Sequence, residues 1–562
     1  MTALGIAARP TPHRPERQPQ NYNLPLRATP EAEDDADIGG QQGVRQTWAL
    51  TASAGFGRTS AADDREHQDV RRQARMCLGM TPLPETIGPV LFARGADERQ
   101  CRLSAVVVTP DALDQPRLVP VNGQAATPVR LHSQFGRTVW RFDFHVPARA
   151  DASYRCGEAV FAVAADWSED VRIAYVACNG QEHADADRPS AERNAMWRRL
   201  AGEHGRAPFS LLLHGGDQVY ADDVLQSHPS LSRWAASTRS EKAEQAFSAD
   251  MREAAERYYF HSYLTQYAQP EPAHLNARVP ALMMWDDHDI FDGWGSLPET
   301  VLDSPVGRGL FDVARGMFML FQLGITDALP QAGQDAGQRD SLTQVARFPR
   351  LSVIAPDLRS ERRPTQVMGP AGWAAFERAL AETEGGDRIL LMSSVPVLGP
   401  RLSWVEKLLH VVPHVQKYED DLLDQWQSRS HRAEWQRMLL TLQRCAAEGR
   451  HPVAVLSGEI HLATRGEMPF KDGAILHQLV ASGIAHPPPS GAYARALGML
   501  AAFGEDPLAG QPVRMEPLPG HSPIYTAQRN YLVLERRGQA WSAEWELEVS
   551  GRTAAMRVLV GA

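Results

Sequence analysis

Four apolar runs of this chain are each followed directly by side chains that can bind metal ions. The runs beginning at Val171, Ser210, Val279 and Val453 lead into Cys-Asn-Gly, Gly-Asp-Gln-Val-Tyr-Ala-Asp, Asp-Asp-His-Asp and Ser-Gly-Glu-Ile-His. Such runs are typical of buried strands, and in layered α/β sheets ligands bind beyond the carboxyl ends of the strands. Carboxylates gathered at one place repel one another unless cations neutralise them. The pattern therefore predicts a centre that holds more than one metal ion.

Each motif alone has an ordinary structural explanation. An aspartate at a strand end usually forms a turn or caps a helix. Cys178 alone would be typical of a buried apolar residue, and the acidic run 286–289 could form a solvated loop. The joint occurrence of four such motifs, each after an apolar run, favours the metal centre.

The elements that must position these side chains are indicated by the surrounding pattern. From about residue 170 apolar runs alternate with helical segments, which predicts a layered α/β domain; the segments are 241–266, 313–323, 372–384 and 431–448. Residues 79–168 contain short strand-like runs separated by Gly and Pro, which predict a small β-sandwich domain. Residues 1–78 start with a proline-rich stretch that favours a disordered N-terminal extension.

Composition narrows the classes of partner and location. The 562 residues include 58 Lys and Arg against 68 Asp and Glu, a net charge of −10, so we expect no nucleic-acid binding. The five cysteines form no CxxC pair, which argues against a disulfide framework or a structural zinc site. We expect no transmembrane segment, and the absence of a visible signal peptide favours a cytoplasmic location. Motifs of serine hydrolases and of P-loop kinases are missing from the sequence.

Taken together and in this order, the four motifs resemble those of the PhoD-like alkaline phosphatase D family, which belongs to the calcineurin-like metallophosphoesterases. The motifs span residues 178–461, and the resemblance covers roughly 170–545. It implies a four-layer αββα catalytic domain preceded by a small β-sandwich. The expected division is therefore a disordered extension over 1–78, a β-sandwich over 79–168 and a metallophosphatase domain over 169–562.

The resemblance also implies the ligands of a first metal, which we expect to be iron. Asp217 would bridge two metals, since its two oxygens can serve two cations. Tyr220 would supply a phenolate, which favours a trivalent iron, while Cys178 and His461 would supply a thiolate and an imidazole. The metal site is similar in this respect to that of purple acid phosphatases.

A second metal would be bound by oxygen ligands from Asp217, Asp287 and Glu459. These ligands suit calcium, with manganese, magnesium or zinc as alternatives. Asp286 could replace Asp287, because the register of these two residues cannot be fixed from the sequence. The family usually has Asp where this chain has Glu459, which leaves the identity of the metal open.

The resemblance implies roles for two residues near the substrate. His288 would hold the phosphoryl oxygens or protonate the leaving alkoxide, or instead make only an outer hydrogen bond. Arg359 would bind the substrate phosphate through its two-pronged guanidinium group, whereas Arg362 is at least as easily explained by a surface ion pair. The motif at 421–426 would form part of the pocket wall.

The predicted function is hydrolysis of a phosphoric monoester or diester, with a metal-bound hydroxide attacking phosphorus in line. Two alternatives stay open. One is an inert, metal-stabilised binding or scaffold protein, and the other is a hydrolase of phosphoanhydrides or phospholipids. The substrate would be a small phosphate ester, and its identity cannot be read from the sequence.

Overall fold

The computed structural model describes residues 83–168, 170–180, 188–330, 341–400, 424–471 and 473–560. The predicted disordered extension lies outside these residues, as does the first half of the motif at 421–426. The described strands are β1 (Ile87–Ala96), β2 (Gln100–Pro110), β3 (Leu118–Pro120), β4 (Pro128–Gln134), β5 (Arg137–Pro147), β6 (Ser153–Cys156), β7 (Ala159–Ala162), β8 (Val171–Val176), β9 (Leu211–Gly215), β10 (Ala281–Met284), β11 (Gln344–Phe348), β12 (Leu351–Ala355), β13 (Arg388–Ser393), β14 (Val453–Ser457), β15 (Ala463–Pro469), β16 (Ile475–Ala481), β17 (Glu505–Leu508), β18 (Gln511–Glu516), β19 (Asn530–Arg537), β20 (Ala540–Leu547), β21 (Gly551–Arg552) and β22 (Met556–Val558).

The α-helices of the described residues include two long ones and several short ones. They are α1 (Ser190–Arg193), α2 (Ala195–Arg206), α3 (Pro229–Ala236), α4 (Arg239–Glu244), α5 (Ala249–Tyr267), α6 (Pro270–Asn276), α7 (Glu299–Leu302), α8 (Pro305–Phe318), α9 (Pro370–Ala381), α10 (Arg432–Glu448) and α11 (Gly491–Ala501). No helix in this part of the chain combines the length and the apolar composition that a membrane crossing requires.

The first sheet brings three of the four predicted motifs to one edge. It has eleven strands in the order β21-β20-β19-β8-β9-β10-β1-β2-β5-β4, with β22 paired to β20. Its central strands β8, β9, β10 and β1 are parallel. Because parallel strands end at the same edge of a sheet, the segments after β8, β9 and β10 meet there.

The second sheet supplies the fourth motif. Its eight strands have the order β11-β12-β13-β14-β16-β15-β18-β17, and β12, β13, β14 and β16 are parallel. The Ser-Gly-Glu-Ile-His motif follows β14 in the middle of this sheet. The fourth group of predicted ligands therefore comes from a different sheet than the other three.

The two sheets pack face to face between layers of helices. Leu211 and Leu213 of β9 share a core with Leu390 of β13, whereas Leu212 faces the other way and packs with Trp197 of α2. This alternation follows from the two-residue period of a strand. Helices α5 and α8 pack with Met283 of β10, while α9 and α10 belong to the core around the second sheet. The predicted layered α/β architecture, with two sheets between layers of helices, is confirmed.

The predicted helices are present with shifted ends. The segment predicted at 241–266 is divided between α4 and α5, because Ser248 accepts a hydrogen bond from the Met251 amide at 3.2 Å and starts a new helix. The segment at 313–323 continues α8 into a single π-helical turn at Met319–Leu323. The predicted segments at 372–384 and 431–448 correspond to α9 and α10.

The segment predicted as a β-sandwich contributes to the main sheet. Strands β1, β2, β4 and β5 extend the first sheet beyond β10, and β3, β6 and β7 form a small separate sheet. The register pairs Phe92 of β1 with Ala281 of β10, across the proposed boundary at residue 168. Hydrogen bonds therefore join strands from the two sides of that boundary. The division of the chain at residue 168 stays a prediction.

Candidate metal centre

Two groups of potential ligands lie where the strand ends meet, and Asp217 belongs to both. The ligand atoms of Cys178, Asp217 and His461 are within 4.8 Å of one another. The same limit holds for Asp217, Asp286 and Asp287. The fold therefore brings together five side chains that come from the ends of β8, β9, β10 and β14.

Two buried carboxylate oxygens of these groups have no hydrogen-bond partner. They are Oδ1 of Asp217 and Oδ2 of Asp286, and both residues are about 1 % exposed. Burial and the nearby Asp286 raise the pKa of Asp217 well above its ordinary value, and burial raises the pKa of Asp286 to about 6. Buried carboxylates normally have partners, so these atoms fit two cations that share Asp217.

The predicted iron ligands form a connected set. The Tyr220 hydroxyl lies 2.9 Å from Nε2 of His461. Ser482 Oγ lies 3.0 Å from Sγ of Cys178 and accepts a hydrogen bond from the His461 amide at 2.8 Å. Burial holds the pKa of His461 well below its ordinary value, which favours the neutral imidazole that binds metals. Phenol, thiol and imidazole groups are thus adjacent, as the predicted iron site requires.

Of the two predicted oxygen ligands Asp287 and Glu459, only Asp287 belongs to a close ligand group with Asp217 in the described part of the chain. Asp287 Oδ2 accepts a hydrogen bond from the Gly293 amide at 2.9 Å. Both oxygens of Glu459 accept from Nε2 of Gln425, at 2.8 and 2.7 Å. Among the described residues, Glu459 belongs to none of the close ligand groups. Its role as a metal ligand stays a prediction.

Four of the predicted ligands have left-handed backbone conformations. The φ angles are 56° for Cys178, 56° for Asp217, 65° for Glu459 and 51° for His461. Only nine non-glycine residues of the described chain have positive φ, so these four are a large share. This conformation costs free energy, of order 1–3 kcal/mol per residue, and tends to occur at functional sites. It turns the chain at each strand end, and the side chains of Cys178, Asp217 and His461 converge there.

Arg359, the predicted substrate-binding residue, is held among acidic side chains, and its predicted contact with the substrate stays a prediction. Its side chain is fully buried, paired with Asp286, and 2.7 Å from Asp424. Arg362 is also fully buried and lies 2.9 Å from Asp424, so it is not a surface ion pair either. The donors of Arg359 serve these acidic groups and Trp294 O, and this arrangement holds the Asp286 carboxylate in place.

His288 belongs to a third close group of potential ligands, with Asp287 and Asp292, and it borders a cavity. Its Nδ1 is 3.0 Å from Asp222, and its ring stacks on Tyr220 with centroids 4.2 Å apart. Burial alone would lower the pKa of His288, but Asp222 and Asp287 raise it well above its ordinary value. Asp222 also accepts a hydrogen bond from the Asp292 amide at 2.6 Å, which fixes the carboxylate that orients the ring.

A family model described as PhoD related phosphatase matches residues 131–419. The chain belongs to the PhoD-related phosphatase family. The matched range contains Cys178, Asp217 and the segment 286–289, whereas Glu459 and His461 lie beyond it. The predicted family resemblance is therefore confirmed.

The individual relatives of this chain are distant. The uncharacterized protein YGR266W of Saccharomyces cerevisiae is 24 % identical over an alignment that covers 59 % of each chain, so the match spans little more than half of that relative. A structure of PhoD is similar with 12 % identity and a TM-score of 0.49, over 85 % of this chain and 90 % of that one. GAP50, titled the anchor in the inner membrane complex of Plasmodium, shares 8 % identity with a TM-score of 0.36, over 70 % and 90 % of the two chains.

Asp289 lies beside the candidate ligands, and the sequence analysis gave it no role. It is fully buried and accepts hydrogen bonds from four backbone amides and from Gln322 Nε2 at 2.8 Å; the amides belong to Asp217, Gln218, Val219 and Asp286. It thereby joins the loop after β9 to the loop after β10. Its place at the end of the Asp-Asp-His-Asp motif was the only signal in the sequence.

His486 is a second residue that the sequence analysis missed. Its ring stacks on His461 with centroids 3.6 Å apart and on Tyr220 at 5.3 Å. A Cβ atom added to Gly180 would lie 2.8 Å from the His486 ring, so the Cys-Asn-Gly motif needs glycine at this position. His486 follows β16 in a loop with no recognisable motif, and only the fold brings it to the ligands.

Proposed function

We propose that this PhoD-related phosphatase hydrolyses phosphoric monoesters or diesters at the centre around Asp217. The observation that carries the proposal is the pair of buried, unpartnered carboxylate oxygens of Asp217 and Asp286, next to the group formed by Cys178, Tyr220 and His461. Such an excess of buried negative charge is favourable only when cations balance it. A phosphate ester would then meet positive charge in a chain whose net charge is −10.

The donor set supports iron on one side and a harder cation on the other. Phenol, thiol and imidazole groups around Tyr220 suit iron, and the carboxylates of Asp286 and Asp287 suit calcium, magnesium or manganese. Cations bound there supply positive charge to the phosphate oxygens and lower the pKa of a water molecule. Asp289 holds the two carboxylate-bearing loops together, and Arg359 fixes the position of Asp286.

His288 is the group of this chain that we propose to move a proton. Asp222 holds its Nδ1, which leaves Nε2 to face a substrate in the adjoining cavity. In the reaction the oxygen of water forms a bond to phosphorus, the bond from phosphorus to the ester oxygen breaks, and His288 donates a proton to the departing alkoxide. One proton of the attacking water stays on the phosphate product, and the other restores the protonated His288. The products are an alcohol and phosphate, or an alcohol and a monoester when the substrate is a diester.

Activity and metal binding test this proposal together. The purified protein, supplied with iron and calcium, is expected to hydrolyse p-nitrophenyl phosphate or its bis-ester, and elemental analysis is expected to find iron. Asp217→Asn is expected to lose both bound metal and turnover. The matched control is Asp327→Asn, which removes one charge at an exposed ion pair with Arg315. Full metal binding without turnover on either ester, in every metal tested, would favour the inert scaffold and reject the proposal.

A further inference from the structure

A cavity of about 150 Å³ adjoins the metal centre, and the side chains that line it are of two kinds. Several are ionisable groups, namely Asp217, Asp287, His288, Asp424, Glu459 and His461. Others are mainly apolar, among them Leu398, Val480, Tyr493, Leu497, Met515 and Tyr525. We call the part of the lining formed by this second set the apolar subsite. Every one of these residues except Leu398 lies beyond the range that matches the family model.

The apolar subsite is built by separate elements that converge. Val480 belongs to β16, Met515 to β18, and Tyr493 and Leu497 project from α11. Val480 is fully buried and Met515 is 7 % exposed, whereas Tyr493 and Leu497 are only half-buried. The inner wall is therefore part of the core, and the helix closes the subsite on the side nearer to solvent.

The polar side chains near this wall make hydrogen bonds to the protein itself. Gln427 Nε2 donates to the carbonyl oxygens of Pro396 and Val397 at 2.9 and 3.0 Å. The Thr464 hydroxyl donates to the Ile524 carbonyl oxygen at 2.7 Å. A ligand with several hydroxyl groups would lose hydrogen bonds to water here, whereas an apolar group would lose none.

We infer that the apolar subsite binds the alcohol part of the phosphate ester, and that this alcohol is apolar. This inference rests on the proposed function, because it is the phosphate at the metal centre that places the alcohol next to Leu497. The substrate class is then phosphate esters of aliphatic or aromatic alcohols, and esters of sugars and other polyols are disfavoured. The free ester and a lipid in an aggregate share this chemistry.

Hydrolysis of a series of n-alkyl phosphates from methyl to octyl, followed by phosphate release, tests the inference. A buried methylene contributes about 0.8 kcal/mol, so kcat/KM is expected to rise about fourfold per carbon until the subsite is full. Glycerol phosphate is expected to react no faster than the methyl ester. A kcat/KM that does not change with chain length would overturn the subsite while leaving the proposed function intact. Failure to hydrolyse any member while p-nitrophenyl phosphate or its bis-ester is hydrolysed would also overturn the subsite, and failure on all of these esters would instead reject the proposed function.

Two nearly isosteric substitutions on α11 provide the matched comparison. Leu497→Asn places an amide in the subsite. Met499→Gln places an amide on the solvent side of the same helix, outside the subsite, where Met499 is 69 % exposed. Leu497→Asn is expected to reduce the octyl-to-methyl ratio of kcat/KM by tenfold or more, and Met499→Gln to leave it unchanged. Equal ratios in both variants and the wild type would contradict the inference. Thermal melting checks folding, and Leu497→Met should restore the ratio.

Long-chain esters distinguish the two sources of substrate. Octyl phosphate at concentrations below micelle formation represents the free ester, and a long-chain phosphatidic acid in mixed detergent micelles represents the lipid. A preference for long alkyl chains that appears with both substrates shows that the subsite binds the alkyl chain itself. If chain length matters only in micelles, the effect comes from binding the aggregate, and the inference about the cavity is wrong.

Discussion

Two buried carboxylate sites of this protein are balanced in opposite ways. Glu203 of α2 is 8 % exposed, pairs with Arg172 and Arg552, and accepts a hydrogen bond from the Tyr531 hydroxyl at 2.8 Å. Burial alone would raise the pKa of Glu203, but Arg552, Tyr531 and Arg172 together hold it below its ordinary value. At Asp217, burial and neighbouring carboxylates raise the pKa instead.

The backbone conformation also differs between the two sites: it is regular at Glu203 and strained at Asp217. Glu203 lies within a regular helix, whereas Asp217 is held at a φ of 56°. At the first site the chain supplies both the charge and its partners, so the site stabilises the fold. At the second it supplies charge and accepts backbone strain without a full set of partners. The comparison indicates that the charge missing from the second site is provided by a ligand.

The largest effect on activity is expected when the Asp217 carboxylate is neutralised by Asp217→Asn. We expect kcat/KM for p-nitrophenyl phosphate esters to fall roughly a thousandfold, about 4 kcal/mol in the barrier, because a shared ligand of both cations is weakened. In metal-free protein the same change should leave the free energy of unfolding equal or higher, since one repelling carboxylate becomes neutral. Chemical denaturation in a chelator measures this. A metal-free variant that is much less stable would show that Asp217 is balanced by the chain itself.

Removing metal should affect only one of the two sites. If metals bind the folded chain alone, a concentration about a thousandfold above Kd stabilises it by about 4 kcal/mol. Dialysis against a chelator should therefore lower the unfolding midpoint of the wild type, and readdition should restore it. The shift should be absent in Asp217→Asn and undiminished in Glu203→Gln. A shift of equal size in both variants would remove the distinction between the sites.

Glu203→Gln should reduce stability without affecting the chemistry. Breaking this buried network leaves Arg172 and Arg552 without their carboxylate, and we expect a loss of about 3 kcal/mol in the free energy of unfolding. The activity per folded molecule should be unchanged. The control is Glu253→Gln, which breaks an exposed pair with Arg257 and should cost at most about 0.5 kcal/mol.

The pH dependence of this difference has a definite sign. Because the pKa of Glu203 is lower in the folded than in the unfolded chain, its contribution is complete above the ordinary value of 4.5 and is lost as pH falls through the folded-state pKa. The stability gap between wild type and Glu203→Gln should therefore be constant from about pH 7 to about pH 5.5 and shrink below 4.5. A gap that shrinks as pH rises would contradict the assignment.

The smallest effect is expected at His486, which stacks on His461 without belonging to a close ligand group among the described residues. His486→Ala removes the ring, and we expect roughly tenfold weaker metal binding, about 1.4 kcal/mol, as for other residues that orient a ligand. His486→Phe keeps a stacked ring and should recover most of this affinity. Metal titration followed by absorption of an iron–phenolate band measures both. If the two variants bind metal equally weakly, stacking is not what positions His461.

Local sequence patterns determined the metal-binding motifs and the helices. The ligand types after β8, β9, β10 and β14 were readable because a buried strand followed by polar groups is a signal contained in ten residues or so. The helices α9 and α10 were predicted for the same reason, since their apolar period repeats within the segment. The family resemblance rested on these short motifs, and the family match confirms it.

Only the tertiary structure decided which charged groups face a ligand and which face each other. The pairing of Arg359 with Asp286 joins residues 73 positions apart, and the sequence suggested a substrate contact instead. Three other features likewise depend on residues that are distant in the sequence. They are the hydrogen bonds from backbone amides to Asp289, the stacking of His486 on His461, and the pairing of β1 with β10. The partners around a buried charge decide whether it stabilises the fold, and those partners are brought together only in the packed chain. A motif shows which potential ligand atoms are present. Packing decides whether those atoms are paired with another side chain or are left to bind a metal ion.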